Sequence, residues 1–136
     1  MPWVIDSSLA LAWGLPDKES RLADRFFERV MPRERPWVPP LWWVEVSGAL
    51  NAARRGGRIT QAQHSRLMEV YGRLTLQMDS ALDGHAAWRM SSLAREHGLS
   101  VYDAAYLELA QRLGAGLASL DKRLKAAARK AGVRVF

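Results

Sequence analysis

The sequence predicts an α/β fold in which a mostly parallel central sheet is flanked by helices. Three observations carry the prediction. Short apolar strand candidates alternate with segments of helical periodicity along the whole chain, the pattern of consecutive β and α units. The helical segments bring their own boundary residues, with Thr60 and Ser100 as N-caps and Gly56-Gly57, Gly98, Gly114 and Gly132 as terminators. No repeat, low-complexity tract or interdomain linker interrupts the pattern, so residues 1–136 are expected to form a single domain.

Taken in order, Trp3-Val4-Ile5 is an apolar run that predicts a buried strand. Residues 8–14 predict a short helix with Ser7 or Ser8 as N-cap, ending before Leu15-Pro16. From about Lys18 to Val30, Leu22, Ala23, Phe26, Phe27 and Val30 fall on one helical face. Pro32 and Pro36 bracket a turn, and Trp37-Val38 is a minimal strand before Pro39-Pro40. A long helix is expected from Leu41 to Arg55, placing Glu45 on its first turn. Thr60-Gln61-Ala62-Gln63 has capping-box spacing and opens a helix running to about Gly72. Leu74 to Met78 alternates apolar and polar residues, predicting a strand. Helices over Ala81–His97 and Val101–Arg112, a strand over Leu117–Leu120, a helix over Lys122–Ala131 and a strand over Val133–Phe136 complete the chain.

Composition narrows the chemistry. The chain contains no cysteine, which excludes disulfides, thiolate catalysis, iron–sulfur clusters and cysteine-held zinc. Its apolar runs are too short to cross a bilayer, and Asp6 and Asp17 interrupt any signal-peptide pattern, so no membrane association and a cytoplasmic location are expected. The net charge of +6 suits a polyanionic partner held through its phosphates, although a solvated basic surface would look the same.

Four acids stand at element boundaries: Asp6, Glu45, Asp103 and Asp121. Asp6 and Asp121 each follow an apolar strand, where open α/β sheets gather their ligand-binding residues. Any one acid alone could be a helix cap or a first-turn residue favoured by the helix dipole. Together, carboxylates that crowd one another repel unless a divalent cation neutralises them, and an all-oxygen set suits Mg²⁺ or Mn²⁺. His64, His85 and His97 show no metal-ligand spacing to one another.

Several stretches carry a resemblance. Val4-Ile5-Asp6-Ser7-Ser8-Leu9-Ala10, Pro40-Leu41 with Glu45-Val46, Ser100-Val101-Tyr102-Asp103-Ala104-Ala105-Tyr106-Leu107 and Ser119-Leu120-Asp121-Lys122-Arg123-Leu124 resemble PIN-domain proteins. The resemblance extends over essentially the whole chain and is nearest to the VapC-type toxins of bacterial toxin–antitoxin pairs. It implies a PIN-like three-layer α/β/α fold and a quartet, Asp6, Glu45, Asp103 and Asp121, that binds Mg²⁺ or Mn²⁺ and carries catalysis. Ser8 matches a hydroxyl residue supporting the first acid, and Ser119 falls where the family usually has threonine. An RNA substrate, a VapB-like antitoxin and a homodimer are the partners implied. The helix bearing Glu45 usually has an asparagine three residues on, where this chain has Gly48; Asn51 is the nearest polar substitute.

Among basic residues, Lys122 and Arg123 directly follow Asp121 and are the better candidates for holding a scissile strand; Arg54 and Arg55, at a helix end, are weaker ones. The six tryptophans favour packing or interfaces. Trp42 and Trp43 cannot both face one core, so one is expected at a surface.

The leading expectation is a metal-dependent endoribonuclease toxin cutting single-stranded or loop RNA. A catalytically weakened PIN domain that binds RNA or protein is the alternative that Gly48 keeps open. A phospho-acceptor domain is more distant, because Asp6 is followed by Ser7-Ser8 rather than by a second acid.

Overall fold

Trp3–Ile5 forms β1, and its three residues are all buried, as a central parallel strand requires. The computed structural model describes residues 1–136, with the elements α1 (Ser7–Gly14), α2 (Arg21–Arg29), β2 (Trp37–Val38), α3 (Pro40–Arg55) and α4 (Gln61–Gly72) following. Then come β3 (Gln77–Met78), α5 (Gly84–His97), α6 (Val101–Leu113), β4 (Gly116–Ala118) and α7 (Lys122–Lys130). All strand pairs are parallel, in the order β3-β2-β1-β4. The expected three-layer α/β architecture is therefore present.

Strand order decides where a ligand can sit. From β1 the chain steps outward to β2 and β3, then returns to place β4 on the other side of β1. Right-handed crossovers in opposite directions put their helices on opposite faces. Helices α1 to α4 accordingly pack among themselves, while α6 lies against β1, β4, α5 and α7. The reversal leaves a crevice beyond the carboxyl ends of β1 and β4, the switch point at which such sheets bind ligands.

Local chemistry explains the boundaries, including those that differ from expectation. Asp6, not Ser7 or Ser8, caps α1, accepting from the Leu9 amide at 3.1 Å. Ser20 caps α2 through the Ala23 amide, so that helix starts at Arg21 rather than Lys18. Pro40 occupies the first turn of α3, where its missing N–H costs nothing, which moves Glu45 to the second turn. The Thr60–Gln63 capping box forms with both bonds in place. Asp83 caps α5, so Ala81 and Leu82 lie outside it. β3 is cut to two residues because its neighbour β2 is only two residues long. Only Val135 of the last segment bridges the sheet, to Leu117, so no full terminal strand forms.

An aromatic cluster closes the amino end of the sheet. Trp3, Phe26 and Phe136 meet edge to face, with ring centroids 5.1–6.3 Å apart. The Arg134 guanidinium lies 4.0 Å from the Trp3 ring centroid. Gly116 makes this possible, since a Cβ there would fall 2.5 Å from the indole. Trp42 is fully buried and Trp43 half-buried, meeting edge to face at 4.8 Å. Trp88, by contrast, is 76% exposed and no part of the core. Buried Glu108 accepts from Arg89 at 2.9 Å and Arg112 at 2.8 Å, and Arg112 reaches on to Asp79 at 2.6 Å. That network fastens the segment after β3 to α6. No helix is long and apolar enough to cross a membrane.

Tyr71 of α4 is fully buried and donates its hydroxyl to the Ala10 carbonyl at 2.6 Å. A Cβ at Gly14 would sit 2.1 Å from that hydroxyl oxygen. Tyr71→Phe is expected to lower stability by about 1–2 kcal/mol, and Gly14→Ala by about 1–3 kcal/mol. Urea denaturation of the double variant should show Gly14→Ala costing less once the hydroxyl is gone.

Candidate active site

β1 ends by delivering Asp6 to the crevice, and β4 ends by delivering Ser119 and then Asp121. Two serine hydroxyls join these ends. Ser8 donates to Asp6 Oδ1 at 2.7 Å and accepts from the Leu120 amide at 3.1 Å. Ser119, fully buried, donates to Asp6 Oδ2 at 2.5 Å and accepts from the Asp121 amide at 2.9 Å. The Asp6 amide completes the join by donating to the Ala118 carbonyl at 3.1 Å. Both serines therefore touch Asp6.

Asp6 itself is only 4% exposed. Burial pushes its carboxyl up to about 6, against the pull of hydrogen bonds from Ser119, Ser8 and Leu9, and the charge of Asp121 pushes the same way. Asp121 caps α7 by accepting from the Leu124 amide at 3.0 Å. Capping and site membership are thus compatible for both residues.

Asp103 is the third residue of α6, where Ser100 provides the cap. Partial burial, then the Asp121 charge, raise its carboxyl above the ordinary range, with Arg123 opposing. Its surroundings are partly open, because the neighbouring Tyr102 is 64% exposed.

Glu45 reaches the same region from α3. Ser7 donates to its Oε1 at 3.3 Å, and Tyr106 donates to the same oxygen in a short bond. Burial, the Glu45 bond and the Glu45 charge hold the Tyr106 phenol well above its usual range, with a further push from Asp6. Neither Ser7 nor Tyr106 was expected at the site. Tyr106 carried one signal, its position three residues after Asp103 on the same helical face.

The acids influence one another electrostatically but do not form a closed cage. Asp121 acts on both Asp6 and Asp103, yet no three His, Cys, Asp or Glu side chains gather tightly enough to enclose an ion. The donor set still fits a hard divalent cation. It is all oxygen, it carries uncompensated negative charge, and Mg²⁺ commonly takes only one or two carboxylates and keeps its waters.

The basic candidates divide. Lys122 and Arg123 are exposed on the first turn of α7, and Arg123 is close enough to influence Asp103. Arg54 and Arg55 lie at the far end of α3, about 14 Å along the helix from Glu45. Gly48 is exposed, and a Cβ there would meet nothing within 4 Å. Asn51 does not fill the gap; its side chain accepts from Arg54 at 3.4 Å.

Comparison with known proteins bears on the family and the fold. Ribonuclease VapC3 of Pyrobaculum aerophilum is 28% identical over 124 residues, covering 91% of this chain and 92% of that protein. The fold matches VapBC2 from Rickettsia felis, solved bound to a DNA fragment from its promoter, with a TM-score of 0.71 at 11% identity, covering 100% of this chain and 98% of that one. It also matches Mycobacterium tuberculosis VapC20, described as a Sarcin-Ricin loop cleaving toxin, with a TM-score of 0.70 at 15% identity over 93% and 95% of the two chains. The PIN domain profile matches residues 3–130, nearly the entire span that carries the parallel sheet and its switch point, and the chain therefore belongs to the PIN domain family.

Proposed function

We propose that the protein is a Mg²⁺- or Mn²⁺-dependent endoribonuclease, the toxin of a toxin–antitoxin pair, cutting RNA in single-stranded or loop regions. The observation that carries this is the joining of the β1 and β4 ends at the switch point, where Ser119 bonds both Asp6 and the Asp121 amide and Glu45 is tied to the start of α1 through Ser7. The names of its relatives as VapC ribonucleases support the same activity.

In this reading Asp6, Asp103 and Asp121 would hold the cation, and Glu45 would position it or a water. A bound divalent ion supplies a water activated for attack on a phosphodiester and neutralises the charge that develops on phosphate. Ser8 and Ser119 fix both Asp6 oxygens, so that carboxylate cannot rotate away. Lys122 and Arg123 attract the phosphate backbone to the mouth of the site. The cognate antitoxin is the inhibitor. A PIN domain that binds RNA or protein without cutting it is the second reading, favoured by the empty space at Gly48.

A homodimer is proposed on separate grounds. Leu82, Val101 and Tyr102 are 63%, 49% and 64% exposed and, with Leu41, line an apolar groove of about 210 Å³ between the start of α3 and α6. A second copy would cover them. Light scattering should give twice the chain mass, and Leu82→Asp should shift the population toward monomer.

Purified protein should cleave unstructured RNA with Mg²⁺ or Mn²⁺ and not with chelator present. Asp6→Asn, Asp103→Asn and Asp121→Asn should each lower the rate by more than about 100-fold. Undiminished cleavage by these variants would sink the proposal.

The pH dependence follows from Asp6. Its carboxyl titrates at about 6 in the folded protein against an ordinary 3.8, so the folded state holds the extra proton between those values. Stability therefore falls as pH rises through that window, by about 3 kcal/mol in all, and the loss persists above it. Asp6→Asn removes this titration. Without divalent ions the variant should be more stable than wild type at about pH 7.5, and the margin should shrink toward pH 4. Mn²⁺ should raise the wild-type Tm more at about pH 7.5 than at pH 5, and should scarcely move that of Asp6→Asn.

A further inference from the structure

Glu45 Oε1 accepts two hydrogen bonds, from Ser7 Oγ at 3.3 Å and from Tyr106 Oη, whereas Oε2 accepts none from the protein. The donors come from the two elements that bring in other acids. Ser7 opens α1 directly after Asp6, and Tyr106 lies one turn beyond Asp103 on α6. Tyr106 is 1% exposed and packed in the core, so its hydroxyl has one fixed direction. Glu45, by contrast, is a long side chain on the half-buried face of α3, and nothing on its own helix restrains it.

We propose that Tyr106, assisted by Ser7, is a positioning residue for the reaction, holding one Glu45 oxygen against α6 so that only Oε2 is turned to the cation and its waters. This rests on the assignment of Glu45 to the metal site made above. An unrestrained glutamate would sample several rotamers, and misplacement on the scale of an ångström costs about 100-fold in rate. The tether also gives Glu45 a fixed place relative to Asp6 and Asp103, since both anchors belong to the frame that carries those acids. A buried tyrosine hydroxyl needs some partner in any fold. What distinguishes a positioning role is an effect on Glu45 chemistry rather than on folding.

Tyr106→Phe keeps the ring and removes the hydroxyl, so it is the informative variant. We expect kcat for RNA cleavage to fall about 10–100-fold with KM within about twofold, and Mn²⁺ affinity measured by calorimetry to weaken about tenfold. Tm should stay within a few degrees of wild type. Ser7→Ala should give a smaller loss in the same direction. In a Glu45→Gln background, Tyr106→Phe should cause no further loss in either measurement. Wild-type kcat and Mn²⁺ affinity in Tyr106→Phe, or an equal loss with and without Glu45, would overturn the proposal. If the wild type binds Mn²⁺ but cuts no RNA, the assigned activity fails while calorimetry still decides the role of Tyr106. Should Glu45→Gln match wild type in both, the assignment of Glu45 fails and this inference falls with it.

Discussion

A carboxylate is buried where β1 and β4 end, and the arrangement of the crevice follows from satisfying it. Removing Asp6 from water is unfavourable unless its oxygens find donors. Ser8 and the Leu9 amide supply them from the first turn of α1, and Ser119 supplies the third from the end of β4. The same serines accept from the Leu120 and Asp121 amides, so solvating one acid also fixes the turn that aims another. Hydrogen bonding here does more than lower a desolvation cost. It transfers the geometry of β1 to the start of α7.

Electrostatics then works in two directions. The charge of Asp121 raises the proton affinity of both Asp6 and Asp103, and a divalent cation is the natural relief. The outer surface is basic, with Lys122 and Arg123 standing next to the acids rather than pairing with Asp6. The Glu108 network with Arg89, Arg112 and Asp79 is of another kind. There the charges are matched, so it fastens α6 without leaving a surplus for a ligand.

Much of this was legible in the sequence, for identifiable reasons. Strand placement followed from apolar runs, and helix ends from Gly98 and Gly114, which adopt left-handed backbone at their caps. Asp6 and Asp121 could be assigned to one crevice because strand ends in a parallel sheet share an edge. Errors arose where neighbouring residues compete for one role, as Asp6, Ser7 and Ser8 do for the cap of α1. β3 was expected too long because alternation reports a strand's faces and not the length of its partner. The Tyr106–Glu45 bond spans 61 positions, and no local pattern encodes it. Trp88 takes the exposed option of the two open to a tryptophan, since apolar character alone does not say which face of a helix meets the core.

The placement of Gly116 beneath the Trp3 ring has a wider consequence. It lets indole, phenyl rings and guanidinium close over the amino end of the sheet, while the carboxyl end is left with repelling acids. Cohesion and reactivity are thereby set at opposite poles of the same few strands. The tight pole tolerates little variation, because a methyl group at Gly116 would strike the indole. The charged pole can be altered in its acids without loosening that packing, so the scaffold can outlast its own chemistry.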